Sequence, residues 1–409
     1  SGFIVQRPVA GLPAQLPVLQ VSDPIKAIIE LGLAARYRYP GDVIAVTGTA
    51  GKSSTVKMLS YMLGGKEKVL ASLGNYNSRV GAPSMLASLN TEHKAAVIEV
   101  AQSALWMKQG PITRRTHPTI ALITEIGVSQ TSSRVKSTND TALWKSRIFD
   151  GLIGRAVAIV GEHLQHFDYI LEKARQHAKR VITFGPSEQA EVRILEIQGD
   201  SVGSHVKLAI GGETHHLSIP APSIGMVHNA VASLCAVYAM GGSIAKAAIA
   251  LQQLQLDEGH LDHITLKFAH GTVQVIDDSW NATVSSMLNA FSVLKQTPVR
   301  GGGRKIAALG RMVELGDEAE SLHGSLAQPL IDASVDLVVT HGEEMHFLRK
   351  QLPERMLGQH FSSIEEMAKS LLATAQENDL ILIKGSRRDS DFGTLPRLLK
   401  KLIEAKATV

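Results

Sequence analysis

The feature that most constrains this sequence is a repeated alternation of short apolar runs and longer helical stretches, which begins near residue 40. Apolar, β-branched runs separated by helices are typical of a parallel sheet with helices packed on it. The predicted strands are 43–48, 68–72, 95–100, 119–123, 156–161 and 181–185, and the predicted helices begin at Lys52, Thr138, Leu164 and Val227. Between residues 191 and 220, polar and apolar residues alternate around Gly211 and Gly212, which predicts antiparallel strands added to the same sheet.

A second alternating series starts near residue 262. It predicts a hairpin through Gly271, then strands at 306–309, 337–340 and 380–384 with helices between them. The predicted division is an N-terminal extension at 1–38, a central α/β domain at 39–255 and a smaller C-terminal α/β domain at 256–409. Ligands often bind between domains, so the cleft between these two is the predicted site.

The composition is that of a globular protein, since 44% of the 409 residues are hydrophobic and 20% are charged. A net charge of +4, 4% aromatic residues and the lack of a dense basic run do not indicate a nucleic-acid-binding protein. No apolar run reaches the roughly 18 residues of a membrane span and no secretory signal is expected, so we expect a cytoplasmic protein. The single cysteine, Cys235, lies in an apolar stretch and is predicted to be a core residue rather than a nucleophile.

A glycine loop lies between the first predicted strand and the helix that begins at Lys52. The loop and the next serine comprise Gly48, Thr49, Ala50, Gly51, Lys52, Ser53 and Ser54. Backbone N–H groups of such a loop and the positive end of the helix point at one spot, where they stabilise a phosphate. Lys52 would reach the terminal phosphates of a nucleotide, and the Ser53 hydroxyl would bind Mg²⁺. The usual spacing G-x4-G-K-[ST] requires glycine where this chain has Val46, so the loop is shorter and an ordinary strand-to-helix turn stays open.

Further segments follow the loop along the chain, at 74–83, 97–100, 144–149, 226–230, 276–282, 309–316 with His323, and 383–387. In content and order, the loop and these segments resemble the motifs of the Mur ligase superfamily. The stretch 276–282, Ile-Asp-Asp-Ser-Trp-Asn-Ala, is close to the family's Asp-Asp-Ser-Tyr-Asn-Ala, and 74–83 is similar to its D-alanyl-D-alanine-adding branch. The resemblance implies a P-loop parallel-sheet ATPase domain followed by a smaller Rossmann-like α/β domain.

The resemblance also implies an ATP-dependent, ADP-forming ligase. Such an enzyme transfers the γ-phosphoryl group of ATP to a carboxylate, and an amine then attacks the acyl phosphate to form an amide. Because charge builds on the phosphoryl oxygens, the site needs a phosphate loop, a lysine and a divalent metal more than it needs a nucleophile. The implied substrates are a small-molecule or peptide carboxylate and an amine, and the implied cofactors are ATP and Mg²⁺, as one ion or two.

Particular residues take roles from the same resemblance. Catalysis is assigned to Lys52, Lys145 and Glu99, and metal binding to Ser53, Glu99 and a carbamylated Lys145. The nucleotide-binding residues outside the loop are His228, Asn229, His260, Asp277 and Asn281. The substrate-binding residues are Asn75, Asn77, Lys384, Ser386 and Arg387.

The residues alone leave structural alternatives for several of these roles. Lys145 on a helix is ordinarily a solvated surface residue, and Asp277 at a strand end is as often a turn residue bonded to its own backbone. His228 and Asn229 are also expected at the start of a helix, where asparagine is a favourable N-cap. The stretch 384–387 is equally an ordinary strand exit. Glu99 differs, because an unpaired carboxylate among apolar residues is costly and a metal partner is expected.

The chain departs from the family pattern near the nucleotide. Thr124 and Glu125 occupy the region of a usual asparagine, Gln130 stands near a usual histidine, and His260 follows a glycine where the family has arginine. The UDP-binding N-terminal domain of the cell-wall ligases is expected to be absent, as in folylpolyglutamate, poly-γ-glutamate and cyanophycin synthetases. A second hypothesis is therefore a catalytically degenerate nucleotide-binding module, which serves as a scaffold or regulatory part of a larger multidomain synthetase or of a homo-oligomer.

Overall fold

The structure is a computed structural model that describes residues 2–72, 74, 76–128, 135–200, 203–268, 271–299, 301–388 and 390–407. Two residues singled out in the sequence, Asn75 and Gln130, lie outside the described residues. Within the described ranges, every helix is too short or too polar to cross a bilayer.

The strands of the described chain, numbered in chain order, are β1 (Phe3–Val5), β2 (Val18–Gln20), β3 (Asp42–Thr47), β4 (Val69–Ala71), β5 (Ala95–Glu99), β6 (Ile120–Ile123), β7 (Val157–Gly161), β8 (Arg180–Gly185), β9 (Val192–Gly199), β10 (Ser204–Ile210), β11 (Glu213–Ile219), β12 (Asp262–Phe268), β13 (Gly271–Asp278), β14 (Lys305–Gly310), β15 (Leu337–His341), β16 (Leu357–Phe361) and β17 (Leu380–Lys384).

The α-helices are α1 (Pro24–Arg38), α2 (Lys52–Met62), α3 (Gly81–Met85), α4 (Gln102–Leu105), α5 (Thr113–Thr116), α6 (Thr138–Lys145), α7 (Phe167–His177), α8 (Ile224–Ala239), α9 (Ile244–Leu251), α10 (Val284–Gln296), α11 (Ala319–Gly324), α12 (Ala327–Asp332), α13 (Met345–Gln351), α14 (Ile364–Thr374) and α15 (Leu395–Ala407). Short 3-10 helices lie at Leu86–Ser88, Ser146–Gly151, Gly316–Glu318, Glu354–Met356 and Phe392–Thr394.

The first half of the chain is built on a sheet with the strand order β11-β10-β9-β8-β7-β6-β3-β5-β4. Strands β3 to β9 pair in parallel, and β10 and β11 extend the sheet as antiparallel strands. Along β3, Ile44 and Val46 belong to one apolar cluster and Val43 and Ala45 to another, so both faces of the sheet are covered. Burial on both faces explains the continuous apolar runs of the sequence, and the predicted parallel sheet is confirmed.

The second half contains a sheet with the order β12-β13-β17-β14-β15-β16. The strands β12 and β13 pair antiparallel, and all the other neighbours in this sheet are parallel. This is the hairpin followed by parallel strands that the sequence predicts. The prediction missed the strand β16, whose exposed Gln359 and His360 interrupt its apolar pattern.

Capping side chains fix where several helices begin. The hydroxyl of Ser137 accepts from the N–H of Asp140 at the start of α6, in a capping box that satisfies two backbone donors. Ser223 caps α8 in the same way by accepting from the N–H of Met226. The helix therefore begins at Ile224, and the predicted start at Val227 with Asn229 as a possible N-cap is wrong. Similarly, α7 begins at Phe167 rather than at Leu164.

The N-terminal segment packs on the first half through α1. A Cβ atom added to Gly32 would lie 1.8 Å from the carbonyl oxygen of Pro83, so α1 and α3 approach each other closely. The Arg36 guanidinium donates to the carbonyls of Thr116 and His117. The strands β1 and β2 form a separate two-stranded parallel sheet.

The segment that connects α9 to β12 forms an ion pair with each half. Lys57 of α2 pairs with Asp257, and Arg397 of α15 pairs with Glu258. Further along the junction, the side-chain carbonyl of Asn289 on α10 accepts from the Ser223 hydroxyl over 2.8 Å. One apolar cluster contains residues of both halves, so the carboxyl ends of both sheets are held near each other.

The buried carboxylate of Asp379 gives a prediction about stability. It is inaccessible to solvent and accepts from Arg304 Nη2 over 2.7 Å and from the N–H of Gln376 over 2.9 Å. Asp379→Ala would leave the backbone N–H groups of Arg304 and Gln376, and the partly exposed Arg304 guanidinium, without their acceptor, so we expect the free energy of unfolding to fall by about 2–3 kcal/mol in urea denaturation. Glu365→Ala, which breaks an exposed pair with Lys369, should leave the urea midpoint unchanged. Equal midpoints for the two variants would contradict this account.

Candidate active site

The carboxyl ends of parallel strands in both sheets face one cleft of about 980 Å³. Residues that follow β3, β5 and β6 line one wall, and residues that follow β13, β14 and β17 line the other. Ligands of open α/β sheets bind outside the carboxyl ends of the strands. Small-molecule sites have volumes of about 300–1,000 Å³, so this cleft has room for more than one reactant.

Two glycines let the loop after β3 lie close to its neighbours. A Cβ atom on Gly48 would lie 1.9 Å from Thr124 Oγ1, and one on Gly51, whose φ is +80°, would lie 2.5 Å from Asn229 Oδ1. The N–H of Thr49 donates to the carbonyl of Glu125 over 2.9 Å, and the Thr124 hydroxyl donates to the carbonyl of Ala50. The loop is thus tied to the end of β6 and rests on the side chain of Asn229.

Two lysine ammonium groups meet at the carbonyl oxygen of Gly48. Lys52 Nζ and Lys145 Nζ each donate to it over 3.0 Å. Lys145 is only 3% exposed, and its pKa lies well below the usual value because of its burial and the nearby charge of Lys52, against the opposing charges of Glu125 and Glu99. Lys145 is therefore not the solvated surface residue that its helical position alone suggests.

The carboxylate of Glu99, at the end of β5, accepts hydrogen bonds from a hydroxyl and from a side-chain amide. Its Oε2 accepts from the Ser53 hydroxyl over 2.8 Å, and its Oε1 accepts from Asn77 Nδ2 over 2.7 Å. The carboxylate is 3% exposed. Carboxylate and hydroxyl oxygens suit Mg²⁺, and no cluster of three or more His, Cys, Asp or Glu ligands occurs among the described residues. The side chains of Ser53 and Glu99 thus offer oxygen ligands of the kind that fits a magnesium ion.

Two stacked imidazoles line the cleft beside the loop. The ring centroids of His163 and His228 are 3.8 Å apart with an interplanar angle of 18°. Burial, together with the neighbouring His163, lowers the pKa of His228 to about 3, and burial also lowers the pKa of His163. Both rings are therefore neutral near pH 7, which a close stack of two imidazoles requires. Asn229, next to His228, lies in the first turns of α8 with its side chain under Gly51.

The two aspartates at the end of β13 have different surroundings. Asp277 is 1% exposed and accepts from the N–H of Ser279 over 3.1 Å, and burial raises its pKa. Asp278 lines the cleft and pairs with Lys384 over 2.7 Å. Lys384 Nζ also donates to the carbonyl of Asn281 over 2.8 Å. Lys384 thus supports the turn after β13, and Asp278 rather than Asp277 faces the cleft.

The basic residues that follow Lys384 lie on the second wall. The Arg387 guanidinium carbon lies 3.3 Å from the centroid of the Trp280 ring, whose other neighbour is His260 at 5.1 Å. Burial lowers the pKa of His260, so this histidine is neutral near pH 7. Ser386 is 1% exposed and its hydroxyl accepts from the N–H of Arg388, so it shapes the turn. Of the predicted substrate-binding residues, Asn77, Lys384 and Arg387 line the cleft.

His163 and Glu125 are cleft residues to which the sequence analysis gave no role. His163 follows β7 and stacks on His228, and Glu125 follows β6 and hydrogen bonds to the Ser285 hydroxyl of the other half. Burial raises the pKa of Glu125. Both follow strands that had been predicted, and the carboxyl ends of parallel strands meet at one edge. A search for polar residues after each predicted strand would therefore have identified both of them.

Family models match both halves of the chain. The Mur ligase middle domain matches residues 46–237, and the model described as Mur ligase, glutamate ligase domain, matches residues 265–387. The two matches contain every predicted site residue that the structure brings to the cleft except His260.

Curated proteins and solved structures are similar over nearly the whole chain. The UDP-N-acetylmuramoyl-tripeptide–D-alanyl-D-alanine ligase of Escherichia coli (strain K12) is 28% identical over 95% of this chain and 82% of that protein. The enzyme of the same name from Bacillus subtilis (strain 168) is 27% identical over 99% of this chain and 85% of that protein. A crystal structure of MurF from Acinetobacter baumannii has a TM-score of 0.80 and 28% identity, covering 98% of this chain and 84% of that chain.

The low pKa of His228 predicts a pH dependence of stability. The folded value is about 3 and the ordinary value is 6.5, so the unfolded chain binds more protons in this range. The stabilisation is present above pH 6.5 and is lost as the pH falls toward 3. When the pH is lowered from about 7 to about 5, the free energy of unfolding should fall less in His228→Phe than in the unchanged protein. The two decreases should differ by roughly 1 kcal/mol or more in urea denaturation. The exposed His205→Phe is the control, and an identical pH dependence in all three proteins would refute the prediction.

Proposed function

Because the chain belongs to the Mur ligase family and is an ATP-dependent, ADP-forming amide ligase, we propose that it joins D-alanyl-D-alanine to a UDP-linked muramoyl tripeptide. The support is that the Escherichia coli and Bacillus subtilis relatives, which align with both walls of the cleft, carry this activity in their names. The alternative of a degenerate scaffold has no support from the comparisons. Since the reaction consumes ATP, we propose that it takes place in the cytoplasm.

The observation that carries this proposal is the set of ionisable side chains around the phosphate loop, namely Lys52 and the buried Lys145 and Glu99. The backbone N–H groups of 48–53 and the start of α2 bind the terminal phosphates of ATP. Lys52 exchanges its hydrogen bond to Gly48 for a phosphate oxygen and neutralises the charge that develops during phosphoryl transfer. No protein nucleophile is needed, because the substrate carboxylate itself attacks the γ-phosphorus and ADP leaves.

Ser53 and Glu99 would hold Mg²⁺ at the γ-phosphate. When bound, the ion neutralises phosphate charge and orients the oxygens for transfer. Asn77 donates to the second oxygen of Glu99 and so fixes the orientation of the carboxylate. We further propose that Lys145 is carbamylated and that the added carboxylate helps to hold a second ion. The lowered pKa of Lys145 favours the neutral amine, which is the form that adds to CO₂.

The nucleoside of ATP is proposed to bind between the two halves. The stacked pair of His163 and His228 offers the adenine a neutral aromatic surface. Asn229 supports the loop from below at Gly51. Asp278 and Asn281, at the turn after β13, would bind the ribose hydroxyls, because both side chains line the cleft. His260 lies on the same side of the cleft. Asp277 acts indirectly, because its carboxylate accepts from the N–H of Ser279 and so stabilises this turn.

Lys52→Ala tests the proposed function directly. With MgATP, the muramoyl tripeptide and D-alanyl-D-alanine, the unchanged protein should release one ADP and one phosphate for each amide, and the variant should be slower by about 10³-fold or more in kcat. Lys57→Ala is the control on the same helix, since Lys57 pairs with Asp257. Equal rates for Lys52→Ala and the unchanged protein would refute the role of the loop. Turnover with other acid and amine pairs, but not with this one, would refute only the substrate assignment.

Carbamylation predicts a response to dissolved CO₂. At constant pH and ionic strength, adding bicarbonate to CO₂-depleted enzyme should raise the initial rate severalfold, because the carbamate forms reversibly on the neutral amine of Lys145. Lys145→Ala should be slow at every bicarbonate concentration. An equal bicarbonate response in Lys145→Ala would show that the effect arises elsewhere, and no response in the unchanged protein would refute carbamylation.

A further inference from the structure

The carboxylate of Glu125 lines the cleft but binds neither phosphate nor metal in the proposed reaction. Glu125 follows β6, and its backbone carbonyl accepts from the N–H of Thr49 in the phosphate loop over 2.9 Å. Its carboxylate accepts from the hydroxyl of Ser285 on α10, in the other half of the protein. A Cβ atom added to Gly127 would lie 3.6 Å from Glu125 Oε1 and 3.7 Å from Ser285 Oγ. The carboxylate therefore lies where the first wall, next to the phosphate loop, meets the second wall.

The surroundings of Glu125 make it a stronger base than a solvated glutamate. Burial raises the pKa of its carboxyl, while the Ser285 hydrogen bond and the charges of Lys52 and Lys145 act in the opposite direction. A raised pKa increases the affinity of the carboxylate for a proton, and the lysine charges favour the ionised form, which is the form that accepts one. Among the described residues, no cation forms an ion pair with this carboxylate.

The other carboxylates that line the cleft are already used within the protein or by the metal. Glu99 accepts two hydrogen bonds at the proposed magnesium site. Asp278 pairs with Lys384, and Glu314 pairs with Arg388, each over 2.7 Å. An ion pair favours the charged form of a carboxylate and so makes it a weaker base.

The imidazoles that line the cleft are weaker bases than free histidine. Burial lowers the pKa of His163, His228 and His260. The Nε2 atom of His163 also donates to the carbonyl of Thr124 over 3.1 Å, so this nitrogen is not free to accept a proton. Burial thus weakens these bases, whereas it strengthens the carboxylate of Glu125.

Amide formation requires a base near the phosphate loop. An α-amino group is largely an ammonium ion near pH 7, and it has no lone pair for attack until one proton leaves. The carbonyl that it attacks belongs to the acyl phosphate, which forms beside Lys52 and Glu99. The proton acceptor must therefore lie close to the loop and be open to the cleft, and Glu125 meets both conditions.

We propose that Glu125 is the general base of amide formation and takes a proton from the ammonium group of the amine substrate. The neutral nitrogen then forms the C–N bond at the acyl carbon, and the C–O bond to phosphate breaks with its electron pair on the phosphate oxygen. Of the three ammonium protons, one passes to Glu125, one passes to the departing phosphate and one stays on the amide. Glu125 then returns its proton to solvent. This inference rests on the proposed function and adds a catalytic residue to it.

Glu125→Gln tests the proposal, because it keeps the size of the side chain and an acceptor for Ser285 but removes the base. With MgATP, the muramoyl tripeptide and D-alanyl-D-alanine, kcat near neutral pH should fall by about 10²- to 10³-fold, and KM for the dipeptide should change by less than about threefold. Release of ADP in the first turnover without the dipeptide should keep its rate, because acyl phosphate formation needs no base. Raising the pH should increase kcat of the variant by about tenfold per pH unit until the amine is neutral.

Hydroxylamine separates a base from a structural residue, because it is largely uncharged near neutral pH and attacks an acyl phosphate without a base. Glu125→Gln and the unchanged protein should therefore form the hydroxamate at rates within about threefold of each other. Ser285→Ala removes the hydrogen bond that lowers the pKa of Glu125, so the acidic limb of its kcat profile should move to higher pH. Glu191→Gln is the matched control, since Glu191 pairs with Arg180 away from the cleft, and it should behave as the unchanged protein.

A dipeptide rate that Glu125→Gln leaves unaffected would overturn the proposal. An equal loss of rate with hydroxylamine and with the dipeptide would overturn it in favour of a structural role for the contact with Ser285. A rise in KM for the dipeptide with kcat kept would overturn it in favour of ammonium binding without proton transfer. If the unchanged protein releases no phosphate with the tripeptide and the dipeptide, the proposed function itself fails, and this inference fails with it.

Discussion

The carbonyl oxygen of Gly48 accepts hydrogen bonds from the Nζ atoms of Lys52 and Lys145, and the arrangement of the first wall depends on this contact. Two charged lysines at one acceptor would repel each other, and burial would increase the cost, so the pKa of Lys145 lies well below its usual value. Glu99 and Glu125 supply part of the compensating negative charge. An anion bound above the loop would balance the remaining positive charge, so the loop is a favourable site for a phosphate group.

The loop that makes this contact begins with a glycine, which lets the backbone lie close to its neighbours. A side chain at position 48 would collide with Thr124, whose hydroxyl in turn holds the loop at Ala50. Lys145 reaches the same carbonyl from the end of α6. The departure from the family's asparagine in the region of Thr124 and Glu125 therefore does not leave the loop unsupported, since the Thr124 hydroxyl bonds directly to the loop backbone.

The sequence predicted those parts of the molecule that depend on local pattern. The strand, glycine loop and helix around Gly48 to Ser53 are adjacent in the chain, so their arrangement follows from turn and helix chemistry alone. The stack of His163 on His228 joins residues that are far apart in sequence, and no local pattern contains it. Lys384 shows the same limit, because only the fold reveals that Asp278 and the carbonyl of Asn281 use its donors. The start of α8 was misjudged because asparagine and serine are both favourable N-caps, and Ser223 lies earlier in the chain.

The buried charges also bear on the choice between a working ligase and a degenerate scaffold. Glu99 and Lys145 are each 3% exposed, and desolvating such groups costs several kcal/mol each, about as much as their pairing returns. Well-packed apolar residues at these positions would serve a scaffold at least as well. In a phosphoryl-transfer enzyme both groups would have a function. Glu99 and Ser53 offer oxygen ligands for a metal ion, and Lys145 contacts the phosphate loop at Gly48. On the second wall, Lys384 is paired with Asp278 and Arg388 with Glu314. The cleft of about 980 Å³ between the two walls has room for an activated acid and an amine together.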